Sequence, residues 1–216
     1  MLTACLATAY LAPVQYYSKL ASFDEVLIEA YENYPKQTYR NRCLIATTNG
    51  IQTLTVPVEK SETIKCPTRD IRISNHGNWR HIHWNALVSA YNLSPFFEFY
   101  ADDFRPFYEK KYTYLIDYNL SLQLMICNLL DIAPKISLTE KYSPEIKNDY
   151  RTVIDPRHPL PDADFSPKPY YQVFNNKHGF IPNLSIVDLL FNMGNEAVLF
   201  IKNLRHCEVE DRSNVL

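Results

Sequence analysis

The chain has 216 residues, of which 46% are hydrophobic and 21% charged, and 16 are tyrosines. This composition excludes a wholly disordered chain and supplies enough apolar side chains for a buried core. The formal net charge of -2 does not offer the broad positive surface of a phosphate-backbone binder, so nucleic acid is not an expected partner.

The cysteines and the apolar stretches predict the cellular compartment of the protein. The five cysteines are odd in number and widely spaced, without a CxxC pair, which predicts a reducing, cytoplasmic compartment. The opening LTAC is similar to the end of a lipoprotein signal, but only Met1 precedes it, so the apolar region of a signal is missing. The most hydrophobic stretch, residues 120–132, contains Gln123 and Asp131, and we expect no transmembrane segment.

Strands are expected to dominate the first part of the chain. Residues 3–11 have β character, residues 14–20 follow a proline as a short helix, and residues 24–31 alternate as a second strand. The Asn49-Gly50 pair lies between two β-rich runs and predicts a hairpin with a type I′ turn. This turn would place Ile45 opposite Leu54 on an apolar face, together with Cys43 and Val56.

Three helices are expected in the middle of the chain, after a short strand over residues 71–74. The second helix begins at Ser94-Pro95 and is interrupted at Pro106, and the third ends before Pro134. Their apolar stripes are Trp84, Leu87, Val88 and Tyr91 in the first, Phe97, Tyr100, Ala101 and Phe104 in the second, and Leu115, Tyr118, Leu122, Met125, Ile126 and Leu129 in the third.

Residues 134–182 contain eight of the 14 prolines and show little periodicity, which predicts an irregular arm. Two helices follow: one with Ser185 and Asp188 as a capping-box variant and Gly194 as its stop, and one through Leu204. The order of elements predicts an α+β or mixed α/β fold in a single domain over residues 1–216. Its N-terminal sheet carries a β-hairpin at residues 42–58, and a helical half follows.

The stretch KQTYRNRC, residues 36–43, concentrates positive charge ahead of the hairpin. If the strand extends back to Tyr39, Arg40 and Arg42 share one face about 7 Å apart and could grip a phosphate or carboxylate, with Lys36 adding charge. The alternative is that the arginines lie on an edge strand and pair with Asp or Glu. Both interpretations remain open from these residues alone.

Histidines cluster around residue 80, but their spacing disfavours a metal site. His81 and His83 are two apart at the start of a helix and diverge, unlike zinc ligands at i and i+4. His83 shares a flank with Arg80 at the border of the expected core. It is therefore either a general base or substrate donor, or a structural histidine.

Several motifs of known chemistry are missing from the sequence. The four glycines form no GxGxxG, no P-loop and no GxSxG elbow, so the sequence points to no particular cofactor. Cys43 would point into the apolar face of the hairpin, where a thiol is normally inert.

Several blocks of the sequence are similar to the WbqC-like protein family. In the family's order they are AYLAPVQYYSKL, YPKQTYRNRC, TLTVPVEK, WRHIHWNALVSAYNLSPFFEFY and GFIPNLSIVDLLFNMG. The family's pattern matches Tyr16, Lys19, Lys36, Arg40, Asn41, Arg42, Trp79, His83, Trp84 and Tyr91. Many relatives carry an aromatic-glycine pair just ahead of Tyr16, where this chain has Val14-Gln15.

The resemblance implies a role in bacterial surface-polysaccharide biosynthesis. The family itself has no established activity. One hypothesis is a transferase that modifies an activated sugar or amino sugar, with His83 as general base. Its anionic substrate, such as a sugar phosphate or nucleotide sugar, would be held by Tyr16, Lys19, Lys36, Tyr39, Arg40, Asn41, Arg42 and Arg80. The alternative is a non-catalytic protein that binds a glycan or a partner through its tyrosine-rich surface.

Overall fold

The computed structural model describes residues 2–60 and 65–202. The strands are β1 Thr3–Ala7, β2 Glu25–Glu29, β3 Arg42–Thr47, β4 Gly50–Thr55 and β5 Lys135–Leu138. The helices are α1 Val14–Leu20, α2 Trp79–Tyr91, α3 Phe97–Glu109, α4 Leu115–Leu129, α5 Asn175–His178, α6 Ile186–Met193 and α7 Ala197–Lys202. The fold is mixed α/β, as predicted, with strands first and most of the helices after them.

Three of the strands form a parallel sheet with the strand order β1-β2-β5. Helix α1 is the crossover between β1 and β2, and its residues are all buried because the arm and α7 cover it. Strand β1 is buried from Ala4 to Ala7, and β2 is buried at Val26, Ile28 and Glu29, which suits a parallel sheet that is covered on both faces. After β1 the chain leaves the sheet, and Leu11 takes a left-handed φ of 40° while its carbonyl accepts a hydrogen bond from Ser185 Oγ at 2.7 Å.

The predicted hairpin is present, but its register differs from the prediction. Ile45 lies opposite Gln52, and Cys43 opposite Leu54, because the loop is Thr48-Asn49. Positive φ occurs at Gly50 and not at Asn49, so the turn is not type I′. A shift of two residues keeps every side chain on its predicted face.

The structure differs from the sequence-based prediction in three details over residues 71–109. Helix α2 begins five residues before Trp84 and buries His83, whereas Trp84 and Val88 are only half-buried. Pro106 does not interrupt α3, which runs on to Glu109. Residues 71–74 make isolated bridges rather than a strand.

The arm over residues 134–182 is irregular apart from β5 and α5, and it packs on the core through polar anchors. Arg151 Nη1 donates to the buried Glu29 at the end of β2 at 2.8 Å. Asp188 was predicted to cap α6, but it instead accepts hydrogen bonds from the side chains of Tyr91, Tyr170 and Gln172. Leu204 lies outside the described residues. In the described part of the chain, no helix has the length and apolarity needed to cross a bilayer.

Candidate functional site

Arg40, the first of the two predicted anion-binding arginines, is part of an internal ion pair. Strand β3 begins at Arg42, so Arg40 precedes the strand and does not alternate with it. Its Nε and Nη2 atoms donate to the two carboxylate oxygens of Glu32 at 2.6 and 2.7 Å, and Arg40 is 4% exposed. A bidentate pair of this geometry uses the fork that would otherwise hold an external anion.

Arg42 and Asn41 lie at the entrance to the hairpin. The half-buried Arg42 has an Nε atom without a hydrogen-bond partner. Burial raises the pKa of Tyr34 to about 12, and the positive charges of Arg40 and Arg42 oppose that rise. Asn41 Nδ2 donates to the Val56 carbonyl at 2.8 Å and thereby closes the open end of the hairpin.

Lys19, Tyr16 and Gln15 of α1 face the arm and the sheet rather than an open cleft. Lys19 Nζ pairs with Asp162 at 2.7 Å, and both side chains are at least 95% buried. Gln15, one of the two residues that replace the aromatic-glycine pair of many relatives, donates to the same carboxylate at 2.8 Å. Tyr16 donates its hydroxyl to the Ala7 carbonyl at 2.9 Å. The charge of Lys19 is thus matched within the chain.

Three predicted residues meet at the end of β1, around a very small cavity. Tyr16, Tyr39 and Arg40 line an enclosed space of about 10 Å³, which is the size of one water molecule. Lys36 is exposed, and its carbonyl accepts a hydrogen bond from Arg157 at 3.2 Å. The structure therefore brings Tyr16, Tyr39 and Arg40 together but leaves no room for a sugar between them.

Arg80 belongs to a different and much larger cavity, which we call the Arg80 cleft. It has a volume of about 560 Å³, within the range of small-molecule sites. It lies between the start of α2 and the end of α3, and its lining residues are Asn75, Asn78, Arg80, His81, Trp84, Arg105, Tyr108, Glu109 and Lys111.

Unpaired positive charge distinguishes this cleft from the surroundings of Arg40. Arg80 Nη1 donates to Asn75 Oδ1 at 2.9 Å, but its Nε and Nη2 atoms are buried without a hydrogen-bond partner. Burial lowers the pKa of Arg80 from its usual value. Lys111 adds positive charge to the lining, whereas Arg105 pairs with Glu109 at 3.9 Å. The guanidinium stacks on the Trp79 ring at 4.6 Å, and it would have to turn towards the cleft for its Nε and Nη2 atoms to bond an anion there.

His83 lies behind the cleft in the core and does not line it. Its Nδ1 atom is 2.9 Å from the Tyr10 hydroxyl, which is 3.0 Å from the hydroxyl of Tyr108 in the cleft wall. Burial lowers the pKa of His83 to about 4, while a hydrogen bond to the Thr55 carbonyl partly opposes this effect. The imidazole is therefore neutral at pH 7 and contacts the cleft through two tyrosines.

Local spacing did not select four residues that the structure brings to the cleft or behind it: Tyr10, Tyr108, Arg105 and Lys111. Arg105 and Tyr108 are three residues apart on α3 and so share a face, a signal that the expected break at Pro106 concealed. Tyr10 follows the end of β1, but only the tertiary contact with His83 of α2 identifies it.

Comparisons with known proteins place the chain in a family. The uncharacterised protein Rv1507c of Mycobacterium tuberculosis is 29% identical over 220 residues, an alignment that covers 89% of this chain and 92% of the relative. No solved structure matches the chain. The sequence profile of the WbqC-like protein family matches residues 8–158, a span that contains every lining residue of the Arg80 cleft. The chain belongs to the WbqC-like protein family.

Proposed function

We propose that the protein binds a phosphate-bearing sugar, such as a sugar phosphate or nucleotide sugar, in the Arg80 cleft and acts on it as a transferase. The observation that carries the proposal is the guanidinium of Arg80, whose Nε and Nη2 atoms are buried and unpaired at a cavity of about 560 Å³. A buried donor without a partner is costly, and a phosphate oxygen is a suitable acceptor. Trp84 offers an aromatic wall against which a sugar or base can pack.

In this proposal the predicted residues have different tasks. Arg80 holds the phosphate, whereas Arg40 and Lys19 stabilise the fold through Glu32 and Asp162. His83 is connected to the sugar by hydrogen bonds through Tyr10 and Tyr108. Its low pKa makes it a weak base at neutral pH.

Binding is tested by isothermal titration calorimetry of glucose 1-phosphate and UDP-glucose against the wild type and Arg80→Ala. We expect Arg80→Ala to weaken binding about 10- to 100-fold, because it removes charge-assisted hydrogen bonds. Arg72→Ala is the matched control, since Arg72 is exposed, pairs with Glu59 at 3.4 Å and lies outside the cleft. Equal affinities of the wild type and Arg80→Ala would rule out the site.

Transfer is tested separately, by mass spectrometry of UDP-sugars incubated with acyl-CoA or amino acid donors. With an acyl-CoA, the sugar hydroxyl or amine would lose a proton and gain the acyl group, and the CoA thiol would leave with a proton. If His83 is the general base, His83→Gln lowers turnover by about 10²- to 10⁴-fold while sugar binding persists. Unchanged turnover in His83→Gln would exclude that role.

The second candidate is a non-catalytic glycan- or partner-binding protein, which exposed apolar residues at the α2–α3 junction favour. Leu93 is 82% exposed and Phe99 78% exposed, and Leu199 of α7 is 56% exposed. Such side chains suit contact with a protein surface. Under this reading no product forms with any donor, and Phe99→Ser weakens partner binding without affecting the Arg80 cleft.

A further inference from the structure

The start of α3 exposes several large apolar side chains within a short stretch of the chain. Leu93 and Phe99 are mostly exposed to solvent, and Phe96 is 37% exposed between them. Single exposed apolar residues are ordinary on a protein surface, whereas several neighbouring ones mark a surface that contacts another molecule. The exposed apolar area at this junction therefore calls for a partner.

The stretch is held firmly by α6 and by the turn that follows α6. Phe96 N donates to the Phe191 carbonyl at 3.0 Å, and the Tyr100 hydroxyl donates to Asn195 Oδ1 at 3.1 Å. The Phe96 ring packs so closely on Gly194 that a Cβ atom added there would lie 2.6 Å from the ring. A surface that is already ordered loses little conformational entropy when a partner covers it.

Three exposed carboxylates lie around Phe99 on the solvent side of α3: Glu98, Asp102 and Asp103. Asp102 and Asp103 follow Phe99 by three and four residues, so they are its neighbours on the helix surface. Glu98 lies in the first turn, where the helix dipole favours a negative charge, but it also precedes Asp102 by four residues. Like charges at that spacing repel and destabilise the helix.

The fold supplies little positive charge to offset this repulsion. In the described part of the chain, none of the three carboxylates forms an ion pair. Arg105, the basic residue of α3, pairs instead with Glu109 at 3.9 Å, and its guanidinium lies 5.7 Å from the centre of the Trp84 ring. A positively charged group from another molecule would relieve the repulsion.

We infer that this surface is a docking site for a positively charged, amphipathic helix of a partner protein. We call it the Phe99 face, and its residues are Leu93, Phe96, Glu98, Phe99, Asp102 and Asp103. Apolar side chains of the partner pack on Phe96 and Phe99, while its lysines or arginines pair with the carboxylates. A helix suits the face because its side chains recur at the same spacing of three and four residues.

The charge of the Phe99 face argues against two other occupants. In a two-fold symmetric dimer of this chain the same carboxylates would lie opposite each other and repel. An anionic membrane surface would repel them for the same reason. The inference rests on the second candidate of the proposed function, partner binding, and does not depend on the Arg80 cleft.

The docking site is tested with a fluorescein-labelled helical peptide of leucine and lysine, whose leucines lie on one face. The control peptide has glutamate in place of every lysine. We expect fluorescence anisotropy to show saturable binding of the lysine peptide to the full chain at low salt, and no binding of the glutamate peptide. Phe99→Ser should weaken binding of the lysine peptide about tenfold or more, whereas Leu160→Ser, which alters a residue 50% exposed in the arm, should not.

The charge requirement is tested with the double variant Asp102→Asn/Asp103→Asn. We expect about three- to tenfold weaker peptide binding at low salt and a smaller dependence of the affinity on salt. The matched control is Asp131→Asn/Glu140→Gln, which removes two exposed carboxylates outside α3 and should change the affinity little. Equal losses in the two double variants would mean that the peptide responds to net charge alone, and the inference would be wrong.

The outcomes also separate this inference from the proposed sugar-phosphate site. Arg80→Ala should bind the lysine peptide as the wild type does. If Phe99→Ser also binds the peptide as the wild type does, the Phe99 face is not a docking site, while calorimetry with sugar phosphates still decides the Arg80 cleft. A dimer in sedimentation velocity, or binding to phosphatidylserine vesicles, that is lost in Phe99→Ser would assign the face to a second copy or to a membrane and overturn the inference. Thermal melting confirms that each variant is folded.

Discussion

Arg40 and Arg80 differ in the partners of their guanidinium groups. Arg40 and Arg80 were both predicted to bind substrate, but Arg40 faces Glu32 in a bidentate pair, whereas Arg80 has two buried nitrogens without partners. A guanidinium that is already paired with a carboxylate gains little binding free energy from an external anion. A guanidinium without such a partner gains much more. The partners of each guanidinium therefore distinguish Arg40, which is paired within the fold, from Arg80, which we propose as a binding residue.

We predict that Arg40→Ala acts on stability rather than on binding. The side chains of Arg40 and Glu32 are 5% and 13% exposed, so removing one partner leaves a buried charge without compensation. The free energy of unfolding should fall by about 3 kcal/mol, measured by urea denaturation, while the affinity for glucose 1-phosphate stays the same. Arg72→Ala, which removes an exposed ion pair, should change stability much less. If Arg40→Ala lost its affinity for glucose 1-phosphate while its free energy of unfolding stayed the same, Arg40 would be a binding residue and the prediction would be wrong.

We predict that His83 makes the folded state sensitive to acid. Burial lowers its pKa to about 4 from a usual value of 6.5, so the unfolded chain takes up the proton at a higher pH than the folded chain. The stabilising contribution is complete above pH 6.5 and is lost as the pH falls towards 4, by about 3 kcal/mol in total.

Urea denaturation at several pH values between 4 and 7 checks this prediction. Carboxylates also contribute to the slope of stability against pH, so the relevant quantity is the difference between the wild type and His83→Gln. The control is His81→Gln, since His81 is exposed two residues away on the same helix. Equal slopes in the wild type and His83→Gln would show that His83 does not titrate differently on folding.

At the scale of elements, the pattern of side chains predicted the strands and helices better than their exact partners. The hairpin was placed correctly and its apolar face is buried, but the turn was assigned one residue too far along the chain, which shifts the strand pairing by two residues. Alternation reveals which face is buried, whereas register depends on the backbone angles of the loop. Here Thr47 Oγ1 donates to the Gly50 carbonyl at 2.9 Å across the loop, a contact that alternation does not reveal.

The arm was the least predictable element, because its order depends on contacts that are distant in sequence. Asp162 pairs with Lys19, and Gln172 and Tyr170 donate to Asp188 at 2.8 and 2.7 Å. None of these partners can be read from local spacing. The candidate site was only partly predictable for the same reason: Arg80 was selected, but the residues that complete its cleft come from α3 and the segment after it.

We predict that Asp188 fastens the arm to the helices. It is fully buried and accepts hydrogen bonds from Tyr91 of α2 and from Tyr170 and Gln172 of the arm. Asp188→Ala should leave these donors unsatisfied and lower the free energy of unfolding by about 3 kcal/mol. Limited trypsin digestion should then cut faster after Lys177, which is exposed in the arm.

Tyr170→Phe is the milder companion variant, since it removes one donor and keeps the ring. It should cost about 1 kcal/mol and accelerate cleavage less than Asp188→Ala does. Unchanged cleavage after Lys177 in both variants would mean that the arm is held by its other anchors, such as Asp162.

For the whole molecule, the carboxyl edge of the parallel sheet is where an open α/β fold usually binds its ligand. Here that edge is filled with internal ion pairs. Arg151 and Glu29 are 2.8 Å apart at the end of β2, and the adjoining cavity of about 400 Å³ is lined by Arg40, Arg151 and Arg157, each with a carboxylate partner. In the helical half, Arg80 has two nitrogens without a hydrogen-bond partner and lines the Arg80 cleft.

The most direct test of that claim is a titration of the ¹⁵N-labelled full chain with inorganic phosphate, followed through the arginine Nε–H signals. We predict that the Arg80 Nε–H signal shifts in a saturable way, because this atom is buried in the cleft without a partner. The Arg72 signal should stay nearly fixed, and so should that of Arg40, whose Nε is bonded to Glu32 at 2.6 Å. Small, unsaturable shifts of all three signals, or a saturable shift of Arg40 alone, would contradict the account.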